Sequence, residues 1–360
     1  MARVSSNPWW AVAVAALALG AVGCGGDEPA LVEPDGGPIA CMPPLANHPQ
    51  DDALRLDHLQ AKSTHNSYHL EPEGNTLDDW RYSHLPLDRQ LEEQGVRQVE
   101  LDLRFSHELG VFEVYHLPVI DEVTTCRRLT ECLATIKAWS DQHCGHHPIV
   151  VQIELKDPLP DEPEGYFDAL HDELRAVWPL ERIITPALVQ GAHSSLADAL
   201  RDEGWPALGE IRGKVLFMLD DSSGFQEAYT HGRNDLDGRL IFAQGSPGEP
   251  FAAVAVINNP VGGAAAIAEA LTAGMLVRTR ADSGSVEPLA EDFTRQQAAL
   301  DSGAHFVTTD YPAPVDYTSY WLEIPDGTPS RCNPVTAPPP CTSTAIEDPA
   351  LFTRTRSSRR

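Results

Sequence analysis

The sequence predicts an α/β protein built on a single (β/α)8 barrel of the TIM type, followed by a disulfide-stapled C-terminal extension. Two observations predict it. Between Asp51 and Tyr320 short apolar runs alternate with amphipathic stretches, the pattern of parallel strands covered by helices. The strand-like runs number eight, which fits one closed barrel. An open doubly wound sheet is the structural alternative, but no G-x-G-x-x-G turn follows the first strand-like run.

The expected strands are Leu59 to Ser63, Val96 to Arg104, Phe112 to His116, Ile149 to Leu155, Val215 to Leu219, Leu240 to Ala243, Met275 to Arg280 and Phe306 to Thr309. The expected helices are Leu87 to Gln94, Leu129 to Gln142, Glu164 to Val177, Ser194 to Arg201, Ala264 to Ala273 and Glu291 to Ser302. The barrel is expected over residues 51–325, with a Pro-rich extension and basic tail over 326–360.

Ahead of the barrel, Arg3 precedes an apolar run from Trp9 to Val22, too short to span a bilayer. It ends in Ala21-Val22-Gly23-Cys24, small residues before a cysteine, as in a bacterial lipobox. Residues 1–23 thus read as a lipoprotein-type signal peptide, with Cys24 as the acylated residue. An ordinary secretory signal with an incidental cysteine is the alternative, and Ala21 is less typical than leucine at that position. Both readings export the chain. Residues 24–50, rich in Gly, Pro, Asp and Glu, read as a flexible tether.

Six further cysteines, Cys41, Cys126, Cys132, Cys144, Cys332 and Cys341, suggest three disulfides in an exported chain. Cys126 with Cys132 and Cys332 with Cys341 are close enough to close small loops, which would leave Cys41 for Cys144. The net charge of −27 excludes nucleic-acid binding and broad adhesion to anionic lipid. The one basic cluster, Arg354, Arg356, Arg359 and Arg360, reads as a disordered tail. Neither a G-x-S-x-G elbow nor a P-loop is present.

Four successive strand ends carry polar residues that a barrel wall does not need. They are Thr64-His65-Asn66-Ser67, Glu100-Leu101-Asp102, His116, and Glu154-Leu155-Lys156-Asp157. The C-terminal strand ends of such a barrel form its active-site face, so these residues are expected to converge. Glu100 and Asp102 are two apart and share a face, while Val99, Leu101 and Leu103 on the other face pack under helices. Two adjacent carboxylates need a cation or a shared proton between them. With Glu154 and the carbonyl of Asn66 they form an all-oxygen set suited to Ca2+, or less well Mg2+, rather than zinc. Two histidines beside such a cation point to phosphoryl transfer with general acid-base assistance.

His143-Cys144-Gly145-His146-His147 could suggest a soft-metal site, but it falls before the fourth strand, at the opposite face. A disulfide cysteine beside solvent histidines is the expected reading there. Tyr68 and Trp80 could line a substrate groove or simply pack.

The order T-H-N-S-Y, W-R-Y-S-H, E-L-D-L-R, V-Y-H-L-P and I-E-L-K-D, with the later R-G-K-V-L-F-M-L-D, V-R-T-R-A-D and G-A-H-F-V-T-T-D-Y-P, resembles the bacterial branch of the calcium-dependent phosphoinositide-specific phospholipases C. The resemblance runs from about Leu56 to Cys341. It implies Asn66, Glu100, Asp102 and Glu154 as calcium ligands, His65 as stabiliser of the charged transition state and His116 as the acid that protonates diacylglycerol. Glu100 or Glu154 would accept the proton of the attacking inositol 2-hydroxyl, giving a cyclic inositol phosphate. The eukaryotic enzymes carry phosphate-holding lysines at the fifth strand end, where this chain reads Phe217-Met218-Leu219-Asp220 with Lys214 one turn early. A preference for polyphosphorylated lipids is therefore not implied. Lys156, Lys214, Arg278 and Arg280 are candidate substrate contacts, with structural salt bridges the alternative for Lys156, Arg278 and Arg280.

Three other functions compete. Glycerophosphodiester phosphodiesterases share the His, E-x-D, His order but open on His-Arg-Gly, where this chain has His65-Asn66-Ser67. Metal-independent bacterial phospholipases C replace calcium by arginine, which Glu100 and Asp102 speak against. A non-catalytic surface lipoprotein is the third, disfavoured by the complete residue set. The expected partners are a phospholipid or other phosphodiester and the membrane that holds the anchor, with the chain itself expected to be a monomer.

Overall fold

Eight parallel strands form the wall of the barrel in the computed structural model, which describes residues 48–220, 224–230 and 236–351. In chain order the strands are β1 (Leu59–Thr64), β2 (Val96–Ser106), β3 (Val111–Val114), β4 (Ile149–Leu155), β5 (Ile183–Ile184), β6 (Val215–Leu219), β7 (Ile241–Ala243), β8 (Val254–Val256), β9 (Leu276–Arg280), β10 (Phe306–Thr309) and β11 (Arg331–Cys332). The wall runs β1-β2-β4-β6-β7, and on the other side of β1 through β10 and β9 to β8. It closes through one parallel bridge, Gln244 with Val254, beside which Gly245 N donates to Val254 O at 3.0 Å.

Two strands differ from expectation. The run at Phe112 is not a wall strand: β3 folds back antiparallel on β2, pairing Leu103 with Val114 and Ser106 with Val111. Its alternating burial is real, but period two is shared by a hairpin and a barrel stave, so the pattern cannot separate them. The missing stave is β8, three residues long and too short to stand out from its alanine-rich surroundings.

The expected helices are present with small shifts at their ends, among them Leu87–Glu93, Leu129–Gln142, Pro163–Val177, Leu196–Asp202, Ala264–Thr272 and Thr294–Asp301. Val99, Leu101 and Leu103 are fully buried between β2 and its covering layer. The inward side of the same strands is polar. Ser63 donates to Gln98, Gln98 Nε2 to Gln152 Oε1 at 2.7 Å, and Thr308 Oγ1 to Ser63 Oγ at 2.9 Å. Buried polar groups persist where they satisfy one another, and this layer supports the acids above it.

The C-terminal extension covers the lower end, where the strands begin. β11 pairs antiparallel with Leu59 and Gln60 of β1. Disulfides join Cys126 to Cys132 and Cys332 to Cys341. Cys144 is disulfide-bonded too; Cys41, the partner expected for it, lies outside the described residues. So do the stretch expected to be a signal peptide, Cys24, most of the expected tether and the basic tail. Among the described residues no helix is long and apolar enough to cross a membrane. The expected solvent histidines before β4 are instead buried. His146 Nε2 meets Ser140 Oγ at 2.7 Å and His147 Nε2 meets Ser330 Oγ at 2.8 Å, because the extension folds over them.

Candidate active site

The upper end of the barrel gathers the acids by register. Asp102 of β2 lies directly opposite Glu154 of β4, and Glu100 opposite Gln152, so two carboxylates share one height and the third lies one inward layer below. Oxygens of Glu100, Asp102 and Glu154 lie within 4.8 Å of one another. Asn66 follows His65 at the end of β1 and is buried, with φ 43°. Asparagine tolerates this left-handed backbone better than most residues. The adjoining Ser67 accepts from Glu100 N through Oγ at 2.8 Å, which stitches the His65–Asn66 turn to β2.

The three acids do not share one electrostatic state. Burial pushes the Glu100 carboxyl up, but Arg278, His65, Arg280 and Lys156 outweigh it and hold the group below its ordinary value. Arg278 Nη2 stands 2.5 Å and Gln152 Nε2 3.1 Å from Glu100 Oε2. Asp102 is raised well above its ordinary value, first by burial, with Glu154 and Glu100 adding repulsion and Lys156 opposing. Lys156 Nζ lies 3.2 Å from Asp102 Oδ2, yet neither Asp102 oxygen completes a well-formed hydrogen bond. Asp220, at the end of β6, is a fourth carboxyl in the cluster. It accepts from Gln152 Nε2 at 2.7 Å and is raised to about 7 by burial, with Arg278 opposing and Glu100 and Glu154 reinforcing.

This donor set fits a hard divalent cation. Oxygens of three carboxylates lie within 4.8 Å of one another, and buried Asp102 has Lys156 and the Tyr68 hydroxyl against the repulsion of both other acids, which leaves it raised.

Both candidate histidines flank the acids and are held alike. His65 Nδ1 lies 2.8 Å from Asp310 Oδ1, and its Nε2 faces Glu100 Oε1 at 3.8 Å. His116 Nδ1 lies 2.8 Å from Asp121 Oδ2. In each pair a carboxylate can only accept from Nδ1–H, which leaves Nε2 for the chemistry. His116 reaches the site by the β2–β3 hairpin rather than from a barrel strand. Arg104 fixes its backbone, donating from Nη2 to His116 O at 2.8 Å and from Nη1 to Lys156 O at 3.0 Å. Both histidine side chains keep 23% of their surface exposed, so the ring edges remain reachable.

Of the four basic candidates, three are drawn into this network. Lys156 bridges Asp102 and Glu154. Arg278 binds Glu100 and donates from Nε to Thr308 Oγ1 at 2.9 Å. Arg280 Nη2 binds Asp310 Oδ2 at 2.9 Å. Lys214 is not brought to the site: it precedes β6 at the lower end and donates to Glu181 O at 2.6 Å. Trp80 sets its ring edge-on to His116, centroids 5.9 Å apart, and Tyr68 is fully buried. Sequence reading missed Asp310, Asp121 and Asp220. Asp310 lies inside the quoted T-T-D-Y-P segment, and Asp121 is an acid set five residues after His116 in an apolar stretch.

The family model for "Phosphoinositide phospholipase C, Ca2+-dependent" matches residues 54–113 and 107–334. No protein of curated function matches the sequence. Among solved structures, the calcium-dependent phosphatidylinositol-specific phospholipase C of Streptomyces antibioticus is similar at 20% identity and TM-score 0.52, covering 72% of this chain and 96% of its own. The calcium-dependent phosphoinositol-specific phospholipase C of a Gram-negative Pseudomonas is similar at 16% identity and TM-score 0.59, covering 80% of this chain and 98% of its own. Its myoinositol complex gives 18% identity and TM-score 0.55, covering 74% and 94%. At these identities the structures speak for the shared barrel, while the family model covers most of the chain. The chain therefore belongs to the calcium-dependent phosphoinositide phospholipase C family.

Proposed function

We propose that the protein cleaves phosphatidylinositol-like lipids to diacylglycerol and a cyclic inositol phosphate in a calcium-dependent reaction. The observation that carries this reading is the pairing of two histidines, each oriented through Nδ1 by a buried carboxylate, across three converging acids. Glu100, Asp102 and Glu154, with Asn66, would hold calcium. When bound it would neutralise the phosphate and lower the pKa of the attacking hydroxyl.

The chain's own groups then have distinct tasks. Glu154, with 33% of its side chain exposed and Lys156 on one oxygen only, accepts the 2-hydroxyl proton more readily than buried Glu100, whose carboxylate Arg278 and Gln152 engage. His65, as the imidazolium with its Nδ1–H on Asp310, donates from Nε2 to the phosphoryl oxygens as charge builds. The 2-oxygen bonds to phosphorus, the bond to the glycerol oxygen breaks, and His116, entering as the imidazolium with its Nδ1–H on Asp121, gives its Nε2 proton to that oxygen and is left as the neutral Nδ1–H ring. Asp310 and Arg280 hold His65 in place.

Export places this chemistry outside the cytoplasm, in keeping with the disulfides. We read residues 1–23 as a signal peptide, Cys24 as a lipid anchor and residues 24–50 as the tether that lets a barrel over 51–325 reach its membrane. We read the chain as acting as a monomer.

A second reading has one observation in its favour. Lys156 and Arg278 already stand against the three acids, and Lys156 is held in its charged form, burial lowering but Asp102 and Glu154 raising its pKa. These cations could replace a metal outright. The test incubates the protein with phosphatidylinositol, glycerophosphoinositol and glycerophosphocholine, each with calcium or chelator. Cyclic inositol phosphate formed only with calcium is the expected result. Equal rates in chelator would favour the metal-free reading, and release of glycerol 3-phosphate would refute both.

A further inference from the structure

Asp121 is placed more firmly than a loop carboxylate needs to be. Its backbone N donates to Leu117 O and its O accepts from Leu117 N, both at 3.0 Å, so a closed turn links it to His116. Its side chain is buried and divided between two rings, His116 Nδ1 at 2.8 Å from Oδ2 and His69 Nε2 at 3.2 Å from Oδ1. His69 is itself anchored, with Nδ1 3.1 Å from Tyr82 O and its ring 4.4 Å from that of Tyr82. The segment after β1 thereby reaches through His69 to the loop that carries His116. Backbone bonds join the same two segments, Thr125 N donating to Tyr68 O at 2.8 Å and Leu70 N to Val123 O at 3.4 Å, so the His69–Asp121 contact sits in an already braced loop.

We propose that Asp121 is a positioning residue for His116: held by the Leu117 turn and by His69, it accepts the proton-bearing Nδ1 of His116 and so aims Nε2 at the leaving oxygen. This rests on the reading of His116 as the leaving-group acid. Asp121 touches no proposed metal ligand among the contacts described, and its anionic form is favoured: burial opposes ionisation, but hydrogen bonds from His116 and His69 hold the carboxyl at about 2. A group that acts only through His116 matters where His116 matters. The alkoxide of diacylglycerol needs a proton to leave, whereas 4-nitrophenolate leaves without one.

The test compares wild type, Asp121→Asn, Asp121→Ala, His116→Ala and the double variant Asp121→Ala/His116→Ala. The substrates are phosphatidylinositol vesicles and the 4-nitrophenyl phosphodiester of inositol. Asp121→Ala is expected to lose about 10- to 100-fold in kcat on the lipid, a share of what a general acid contributes. It should change by less than about threefold on the nitrophenyl ester, leave KM unchanged, and add no loss to His116→Ala. Asp121→Asn, which can still accept from Nδ1, should recover part of the lipid activity.

Nitrogen-15 NMR of the His116 ring gives a readout that needs no turnover: in the neutral ring, the form left after proton donation, the Nδ1–H tautomer is expected in wild type and Asp121→Asn and should be depleted in Asp121→Ala. Equal losses on both substrates, additive losses with His116→Ala, or an unchanged tautomer in Asp121→Ala would each overturn the proposal. If His116→Ala itself loses equally on both substrates while the tautomer still follows Asp121, the acid role of His116 fails and the positioning contact stands.

Discussion

Buried ion pairs occur at both ends of the barrel, and they are built to different standards. At the lower end Glu347 takes Arg97 Nε on both oxygens, at 3.0 and 3.2 Å, and the backbone N of His147 at 2.9 Å. Burial pushes its carboxyl up, but Arg97 and then His147 overcome that and bring it down to about 2. Arg212 nearby donates to Gly145 O, Ile346 O and Ala345 O and pairs with Asp51. Both charges of each of these pairs are answered by the protein. At the upper end Asp102 is equally buried but lacks well-formed hydrogen bonds, and both Asp102 and Asp220 are raised rather than depressed. The lower end closes on itself, while the acids of the upper end still repel one another despite Lys156 and Arg278. A barrel that separates stability from chemistry by its two faces is expected to respond to mutation accordingly.

The largest effect should come from His116→Ala at the upper end. It is expected to lower kcat on phosphatidylinositol by about two to four orders of magnitude, about 3–5 kcal/mol of barrier, with Tm within about 2 °C of wild type. A comparable energy should appear as stability at the lower end. Arg97→Met leaves Glu347 buried without its main partner and is expected to cost about 3–5 kcal/mol in denaturant unfolding, with kcat unchanged in the protein that remains folded. A clear fall in kcat there would break the separation.

Asp102→Asn should show the intermediate effect. At free calcium one hundred times Kd the wild-type protein gains about 2.7 kcal/mol of stability, and the variant should gain much less. Without calcium it should be no less stable than wild type, because a repelled charge has been removed.

The smallest effect is in acid. Glu347 is depressed from 4.5 to about 2, so its contribution is complete above pH 4.5 and disappears as pH falls toward 2. Asp102, being raised, carries the opposite sign. Chemical denaturation between pH 5 and 2.5 should therefore be shallower for Glu347→Gln than for wild type. Identical slopes would remove Glu347 from the account.

Much of the upper end was legible in the sequence. Glu100 and Asp102 follow from period two on a strand flanked by apolar neighbours, and His65, Glu154 and Lys156 from their places at strand ends. What failed were features set by chain segments distant in sequence. His147 read as a solvent residue because the cover it receives comes from Ser330 and Glu347, nearly two hundred positions later. Asp310 lies 245 positions from the His65 it orients. β3 imitated a wall strand because its pairing partner, not its own pattern, distinguishes the two. Lys214 could have been set aside from sequence alone, since a residue that opens a barrel strand lies at the face away from the site.

The most direct test of the upper end follows the initial rate on phosphatidylinositol vesicles against free calcium, for wild type and Asp102→Asn, with phosphorus-31 NMR of the product. The account predicts a saturable rise from a negligible rate in chelator, a five-membered cyclic phosphate signal, and a much weaker calcium response in Asp102→Asn. A wild-type rate in chelator equal to that in calcium would contradict it.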